Sequence, residues 1–341
     1  MIFPRSSAVI FLVCAAAFAP ATGAAKSHPT RPAAVSDAKA YKGAIIMDAA
    51  TGNVLFEDHA DLVNPPASMT KLMTFLVLHD KLQAGTLTLA TPVKIAAEDA
   101  KMGGTQVFLD PRETFSVEEL IYAMMIQSAN DAAHALARAG AGSVPAFVEL
   151  MNAKARELGM THTTFRSPHG LPPPSRRIAD GDLTTPRDFA VLSRYVLQHT
   201  DVLKYTSVQT RGFGPNRPKG PQHMINHNKL LGKVVGVDGL KTGFTEGAGY
   251  CISVTALRNN HRVVVVIMGS FGPHGEVDKG HARDLKAIEM LDRGFASLAP
   301  GAPAFTAEAG PAPEPSPITA APQPAADAGP AIKFALPPPK K

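Results

Sequence analysis

The chain has 341 residues, 45% of them apolar and 18% charged, with a formal net charge of +5 and a pI near 9.1. That is enough apolar material for one large domain or two closely packed lobes with a sizeable core. The basic balance could suit nucleic acid, but the cations are scattered and no nucleic-acid motif accompanies them, so solvated surface charge is expected and no nucleic-acid partner.

Residues 1–25 read as an export signal. Arg5 supplies a positive start, Ala8 to Ala19 is an apolar run too short for a permanent span, and Thr22-Gly23-Ala24-Ala25 offers small residues for cleavage. A retained N-terminal anchor is the rival reading. The expected location is the periplasm or extracytoplasmic envelope, with no transmembrane segment in the mature chain. Cys14 lies inside the signal, so Cys251 is the only cysteine left after cleavage and no internal disulfide is expected.

The folded part is expected over residues 38–298. Ala44 to Asp48 and Asn53 to Glu57 read as two strands joined through Ala50-Thr51-Gly52, a hairpin signal. Pro65 and Pro66 can only precede a helix, which puts the start of the next apolar run at Ser68 and buries Met69 through Leu78 on most sides. A further helix starts at Ser116, with Glu119 three residues on as a capping box, and Leu120, Ala123, Met124 and Gln127 at helical spacing. Strands follow at Gly239 to Thr242, Gly249 to Leu257 and Arg262 to Met268, then a closing helix from Lys279 to Ala296. Strands at both ends with helices between predict an α+β fold: one antiparallel sheet flanked by helices, with a helical insertion on one side. Twelve of the thirty prolines fall in residues 299–341 among few large apolar side chains, so that stretch is expected to be a disordered tail with no amphipathic anchor.

Three short motifs stand on this frame: Ser68-Met69-Thr70-Lys71, Ser128-Ala129-Asn130 and Lys241-Thr242-Gly243. Together they hold a nucleophile, two lysines and a second hydroxyl, the parts needed for acyl transfer through a covalent serine intermediate. Lys71, three residues after Ser68, shares its helix face, and the helix dipole favours negative charge near Ser68. Burial and a second ammonium, Lys241, lower the Lys71 pKa and suit it to take the serine proton. Ser128 can relay a proton toward a leaving amine, and the Asn130 amide can hold substrate backbone. Lys241 offers a fixed positive charge to a carboxylate, Thr242 a donor, and Gly243 close backbone approach. The bland alternatives are a capping serine with a surface lysine, a polar kink between helices, and a turn glycine beside a surface lysine.

The ordered triple resembles the penicillin-binding D-alanyl-D-alanine carboxypeptidases of low molecular mass, peptidase family S11. Pro66-Ala67 before the first motif, Asp238-Gly239-Leu240 before the third, and the stretches Ile126 to Ala132 and Ser167-Pro168-His169-Gly170-Leu171 add to the likeness. The resemblance implies the serine β-lactamase and transpeptidase fold, an oxyanion hole from the backbone N–H groups of Ser68 and Phe244, peptidoglycan stem peptides as substrates, β-lactams as covalent inhibitors, and no cofactor. Relatives often carry arginine within an Asn-Arg-Asn segment where this chain has Asn226-His227-Asn228, which makes His227 a candidate partner for the substrate carboxylate. Rival readings are a D,D-endopeptidase; a β-lactamase, for which Glu149-Leu150-Met151-Asn152 is only a near match to the expected glutamate pattern; and a non-catalytic peptidoglycan-binding or penicillin-sensing module. No histidine has metal-ligand spacing, so no metal is expected.

Overall fold

Strand β1 (Gly43–Asp48) forms the expected hairpin with β2 (Val54–Asp58), and its other edge pairs with a strand more than two hundred residues later. The computed structural model describes residues 41–218 and 220–307; the export signal at 1–25 and the tail beyond 307 lie outside the described residues. Between the hairpin and the closing strands come helix α1 (Lys71–Gln83), the ribbon of β3 (Pro92–Lys94) and β4 (Thr114–Ser116) around the short α2 (Ala97–Ala100), and then α3 (Val117–Tyr122). Next are α4 (Asn130–Ala141), α5 (Val144–Glu157), α6 (Pro186–His199), the short α7 (Leu203–Thr206) and a second ribbon of β5 (Thr210–Phe213) and β6 (Gln222–Ile225). The chain ends with β7 (Val237–Thr245), β8 (Gly249–Arg258), β9 (His261–Ser270) and α8 (His281–Ala296).

The main sheet runs β2-β1-β9-β8-β7, antiparallel throughout, with β7 at one edge. Its centre, β9, explains the joining of the two chain ends. Val263 to Met268 is a continuous β-branched and apolar run, fully buried on both faces. Val264, Val266 and Met268 face the larger core with α1 and α6, while Val263, Val265 and Ile267 face Ala287, Met290 and Leu291 of α8. The helical insertion therefore covers one face and the closing helix the other.

Helix α1 runs through the middle of the insertion, with Leu72, Met73, Phe75, Leu76 and Leu78 almost completely buried. A 3₁₀ turn over Ala67–Thr70 leads into it, begun by Met69 N–H donating to Pro66 O at 3.2 Å. At the start of α3, Ser116 Oγ accepts from Glu119 N–H at 3.2 Å. The return half of the expected capping box is not made: the Glu119 carboxylate instead accepts from Arg211 at 2.6 Å and from Gly214 N–H at 2.9 Å, tying the second ribbon to the helix.

One expectation about the C-terminus changes. The segment up to residue 307, read as the start of the tail, lies against the β8–β9 turn: Phe305 N–H donates to Asn260 O at 2.7 Å, and its half-buried ring sits 5.1 Å from the Arg262 guanidinium. A single aromatic side chain finds apolar cover that the proline-rich composition hides.

Candidate active site

All three motifs converge where the 3₁₀ turn at the head of α1 meets the free edge of β7. Gly243 makes that approach possible: a Cβ there would lie 2.6 Å from Pro66 O and 3.0 Å from Ser68 N. On the other side Gly170, at φ +82°, leaves room where a Cβ would collide with Ala67 O. The loop 166–171 is thus seated against the nucleophile turn. Polar residues of α1 and of the turn hold it there: Thr74 Oγ1 donates to Pro168 O at 2.7 Å, and Thr70 Oγ1 donates to Asp182 at 2.9 Å. Asp182 also accepts from Arg166 N–H at 2.6 Å, Ser167 N–H at 2.9 Å and Ser167 Oγ at 3.0 Å.

Lys71 is fully buried. Its Nζ lies 3.0 Å from Ser68 Oγ, 2.7 Å from Asn130 Oδ1 and 2.7 Å from His169 O. An ammonium has three N–H bonds and all three would be accepted. A neutral amine has two, which the two carbonyl oxygens take, leaving its lone pair directed at the Ser68 hydroxyl. Burial, then the charge of Lys241, holds its pKa well below that of free lysine, against the smaller opposing pull of Asp182 and Asp131. Neither carboxylate touches Nζ: Asp182 is hydrogen-bonded as above, and Asp131 accepts from Val107 and Leu109 N–H.

Asn130 Oδ1 accepts from Lys71 and its Nδ2 donates one N–H to Gly103 O at 2.8 Å, so the amide is held against Lys71 and keeps a second N–H. Ser128 sits between a π turn (Ala123–Gln127) and α4, at φ 62°. Its buried Oγ has no hydrogen-bond partner, an open valence in a wall of the catalytic cavity.

That cavity, about 470 Å³, is lined by Ser68, Ser128, Thr242, Gly243, Phe244 and His227 among others. It also receives Arg283, from the first turn of α8, and the exposed Lys229 and Lys279. Among the described residues lining it there is no carboxylate. Arg283 is buried and oriented by Asp284 Oδ1 at 2.6 Å and Cys251 O at 3.3 Å. Nothing local in the sequence marks it, since its place depends on how α8 docks on the sheet. Phe244 stacks on Tyr250 at 4.1 Å between ring centroids, closing one wall.

Two groups named as cations from their residue type have depressed pKa values. Desolvation, then Arg283, pushes Lys241 down to about 7. Desolvation, then the charges of Lys241, Lys71, Arg283 and Lys229, push His227 down to about 4. The residue is exposed, so solvent softens that shift, and its direction rather than its size carries the argument. His169 is likewise neutral, pushed down to about 3 by burial and then by Lys71, with Nδ1 accepting from Leu171 N–H at 3.1 Å. The sequence marked its stretch only as a likeness; its part in the site is a backbone carbonyl, which no residue pattern announces.

A metal has one conceivable holder among the described residues, the group Glu98, Asp99 and His134. Arg138 already faces Asp99 at 2.7 Å, placing a cation where an ion would sit. None of these residues lines the catalytic cavity.

A serine and a buried lysine within hydrogen-bond reach, a second serine opposite and a lysine-bearing strand edge bring together the groups that acyl transfer through a serine needs. The family model described as D-alanyl-D-alanine carboxypeptidase, peptidase S11, matches residues 28–272, and the chain belongs to that family. It is similar to the D-alanyl-D-alanine carboxypeptidase DacF of Bacillus subtilis, 34% identical over 254 residues that cover 74% of this chain and 62% of that protein. It is also similar to DacC of Escherichia coli, 37% identical over 271 residues, 77% of this chain and 62% of that one. Both shares mean that the chain spans about three-fifths of the length of these relatives. Among solved structures it resembles penicillin-binding protein D2 of Listeria monocytogenes in its ampicillin-bound form, with a TM-score of 0.63 and 33% identity over 75% of this chain and 97% of that one.

Proposed function

We propose that the chain is a serine D-alanyl-D-alanine carboxypeptidase that removes the terminal D-alanine from peptidoglycan stem peptides. The observation that carries this reading is the set of neighbours around Lys71: two carbonyl oxygens and Ser68 Oγ, with no carboxylate in contact. Lys71 takes the Ser68 proton as Oγ attacks the penultimate carbonyl. The backbone N–H groups of Ser68 and Phe244 receive the developing oxyanion, a reading supported by the free edge of β7 and the closeness of Gly243 to Ser68 N. Ser128, whose hydroxyl lacks a partner, passes a proton to the departing amine. Water then releases the peptide from Ser68.

The cationic cavity supports a substrate with a free carboxylate: Thr242 and Arg283 line it with Ser68, Lys241 lies close enough to feel the Arg283 charge, and Arg283 supplies the guanidinium absent at position 227. This favours the carboxypeptidase over a D,D-endopeptidase. A β-lactamase is disfavoured because Glu149 is exposed on α5 and does not line the catalytic cavity. Without a carboxylate among its described lining residues, that cavity has no evident base for rapid hydrolysis of a β-lactam acyl group, so such adducts should persist. The substrate places the work outside the cytoplasm, in keeping with the expected export signal. No helix among the described residues is long and apolar enough to cross a membrane.

The test is mass spectrometry after incubation with benzylpenicillin, together with D-alanine release from a pentapeptide. The intact chain should gain the mass of one β-lactam on the peptide that contains Ser68 and should release one D-alanine per pentapeptide; S68A should do neither. An adduct on another residue, or D-alanine release by S68A, would overturn the assignment. Cleavage of cross-linked dimers without release from pentapeptide would make the chain an endopeptidase.

A further inference from the structure

The segment 103–109, between α2 and β4, belongs to no helix or strand, so its course is set by the partners its backbone groups find. Four of those partners stand at the start of α4. Gly103 O accepts from Asn130 Nδ2 at 2.8 Å and Thr105 O from Asn130 N–H at 2.8 Å. Val107 N–H and Leu109 N–H donate to the Asp131 carboxylate at 3.2 and 3.1 Å. From the other side Arg217, held by Glu113 at 2.8 Å, donates to Val107 O at 2.7 Å and to Phe108 O at 3.2 Å.

Asp131 is completely buried and does not line the catalytic cavity. It also accepts from Ala132 N–H at 2.9 Å, so backbone N–H groups satisfy a carboxylate that would otherwise be costly to bury. Phe108, exposed and at φ 52°, stands between the two segment donors in a conformation that disfavours a bulky residue; the bonds on either side impose that turn. Gly104 is packed closest to α4: a Cβ there would lie 2.7 Å from Asn130 Nδ2. The consequence falls on Asn130. With Nδ2 directed at Gly103 O, Oδ1 is the atom left for Lys71 Nζ, 2.7 Å away. An amide turned over would present its NH2 to Nζ, opposing the hydrogens of an ammonium and donating to the lone pair of a neutral amine, the lone pair that Ser68 requires.

We propose that Asp131 is a positioning residue of the reaction: by holding segment 103–109 against α4 it keeps Gly103 O in place, fixes the orientation of the Asn130 amide, and so leaves the Lys71 lone pair to Ser68. The proposal rests on Lys71 as the base. Charge alone predicts the opposite sign. The Asp131 carboxylate opposes the lowering of the Lys71 pKa, so neutralising it would leave more of Lys71 unprotonated and would favour acylation.

The experiment follows benzylpenicillin adduct formation over time on the intact chain, separating the limiting acylation rate from non-covalent affinity, in D131N, G104A, N130A and the double variant D131N/N130A. D131N turns an NH2 toward the backbone donors and should lower the limiting rate about tenfold, the size of coupling found within one hydrogen-bond network. G104A presses on the Asn130 amide without touching the buried charge and should lower it by about as much, with affinity within about threefold in both. Added to N130A, D131N should slow acylation by less than about twofold, since the route to Lys71 is already gone. The loss in D131N should persist at alkaline pH, where Lys71 is unprotonated in every variant. A wild-type limiting rate in D131N with only a lower melting temperature, a wild-type rate in G104A, or full additivity with N130A would overturn the proposal; D131S repeats the measurement should D131N not fold. K71A, run alongside, keeps the two readings apart. Slow acylation in K71A with a wild-type rate in D131N overturns the positioning role alone, whereas a wild-type rate in K71A overturns the base and the positioning role together.

Discussion

Lys71 and Arg262 are both buried cations packed against the main sheet, and they differ in what faces them. Arg262 forks onto Asp238, with nitrogen to oxygen distances of 2.7 and 2.8 Å, and also donates to Thr255 Oγ1. Lys71 meets only a hydroxyl and two neutral carbonyls. A buried cation with a counter-ion remains charged and braces the fold; one without is pushed toward its neutral form and becomes a base. The two are thus separated by the facing carboxylate and by side-chain type, since a guanidinium stays charged even unpaired whereas a buried ammonium can lose its proton.

The comparison is broken most completely by removing the base. Lys71→Ala should lower the rate of Ser68 acylation by about 10³-fold or more, within the range general bases contribute, as read by β-lactam adduct formation over time. A variant that acylates at the wild-type rate and only deacylates slowly would move Lys71 to the second step.

It is sharpened by giving Lys71 the counter-ion that Arg262 has. Asn130→Asp places a carboxylate near the position now 2.7 Å from Nζ, which should raise the Lys71 pKa and cut acylation at pH 7 by about a hundredfold. Activity should recover as pH rises, which mere damage to the site would not allow. A loss that is the same at every pH would contradict the electrostatic account.

The reverse change removes the counter-ion from Arg262. Asp238→Asn leaves the guanidinium buried and unpaired and should destabilise the chain by about 2–3 kcal/mol in denaturant unfolding, the lower part of the range because Asp238 is partly exposed. kcat/KM should stay within about twofold, as small a change as expected of a site outside the catalytic centre. A large drop in kcat/KM with little loss of stability would show that the pair is no mere brace.

The smallest effect concerns Lys241, whose pKa of about 7 puts its charge within the working range. Below that pH its ammonium holds the substrate carboxylate; above it the charge is lost and Arg283 remains. The Michaelis constant for pentapeptide should therefore rise severalfold as pH climbs through about 7, below the upper bound of roughly a hundredfold set by a charge-assisted bond. Since His227 is also driven down, to below the ordinary histidine range, the rise should persist in His227→Ala. Its disappearance in that variant would restore His227 as the titrating partner.

The sequence made the frame and the reacting groups legible for physical reasons. The β-branched run Val263 to Ile267 could only be a buried strand, the prolines before Ser68 fixed where α1 is entered, and three polar motifs in otherwise apolar surroundings required a use. What it left hidden were groups whose role depends on tertiary docking. Arg283 reaches the site only because α8 packs beside β8, the His169 carbonyl only because Asp182 and Thr74 seat its loop on α1, and Phe305 only because the β8–β9 turn offers it cover. Charge states are hidden for the same reason. Lys241 and His227 could be named as cations from their types, but their pKa values follow from burial and from the other cations gathered around them.

The most direct test of the central claim is the titration of Lys71 itself, followed by NMR of the chain with lysine labelled at Cε and assigned by comparison with a Lys71→Arg variant. The account predicts that Lys71 loses its proton well below the pH at which the exposed lysines titrate, and that Asn130→Asp moves that midpoint upward. A Lys71 signal that titrates with the exposed lysines would show that the base is charged in the resting protein and would contradict the mechanism.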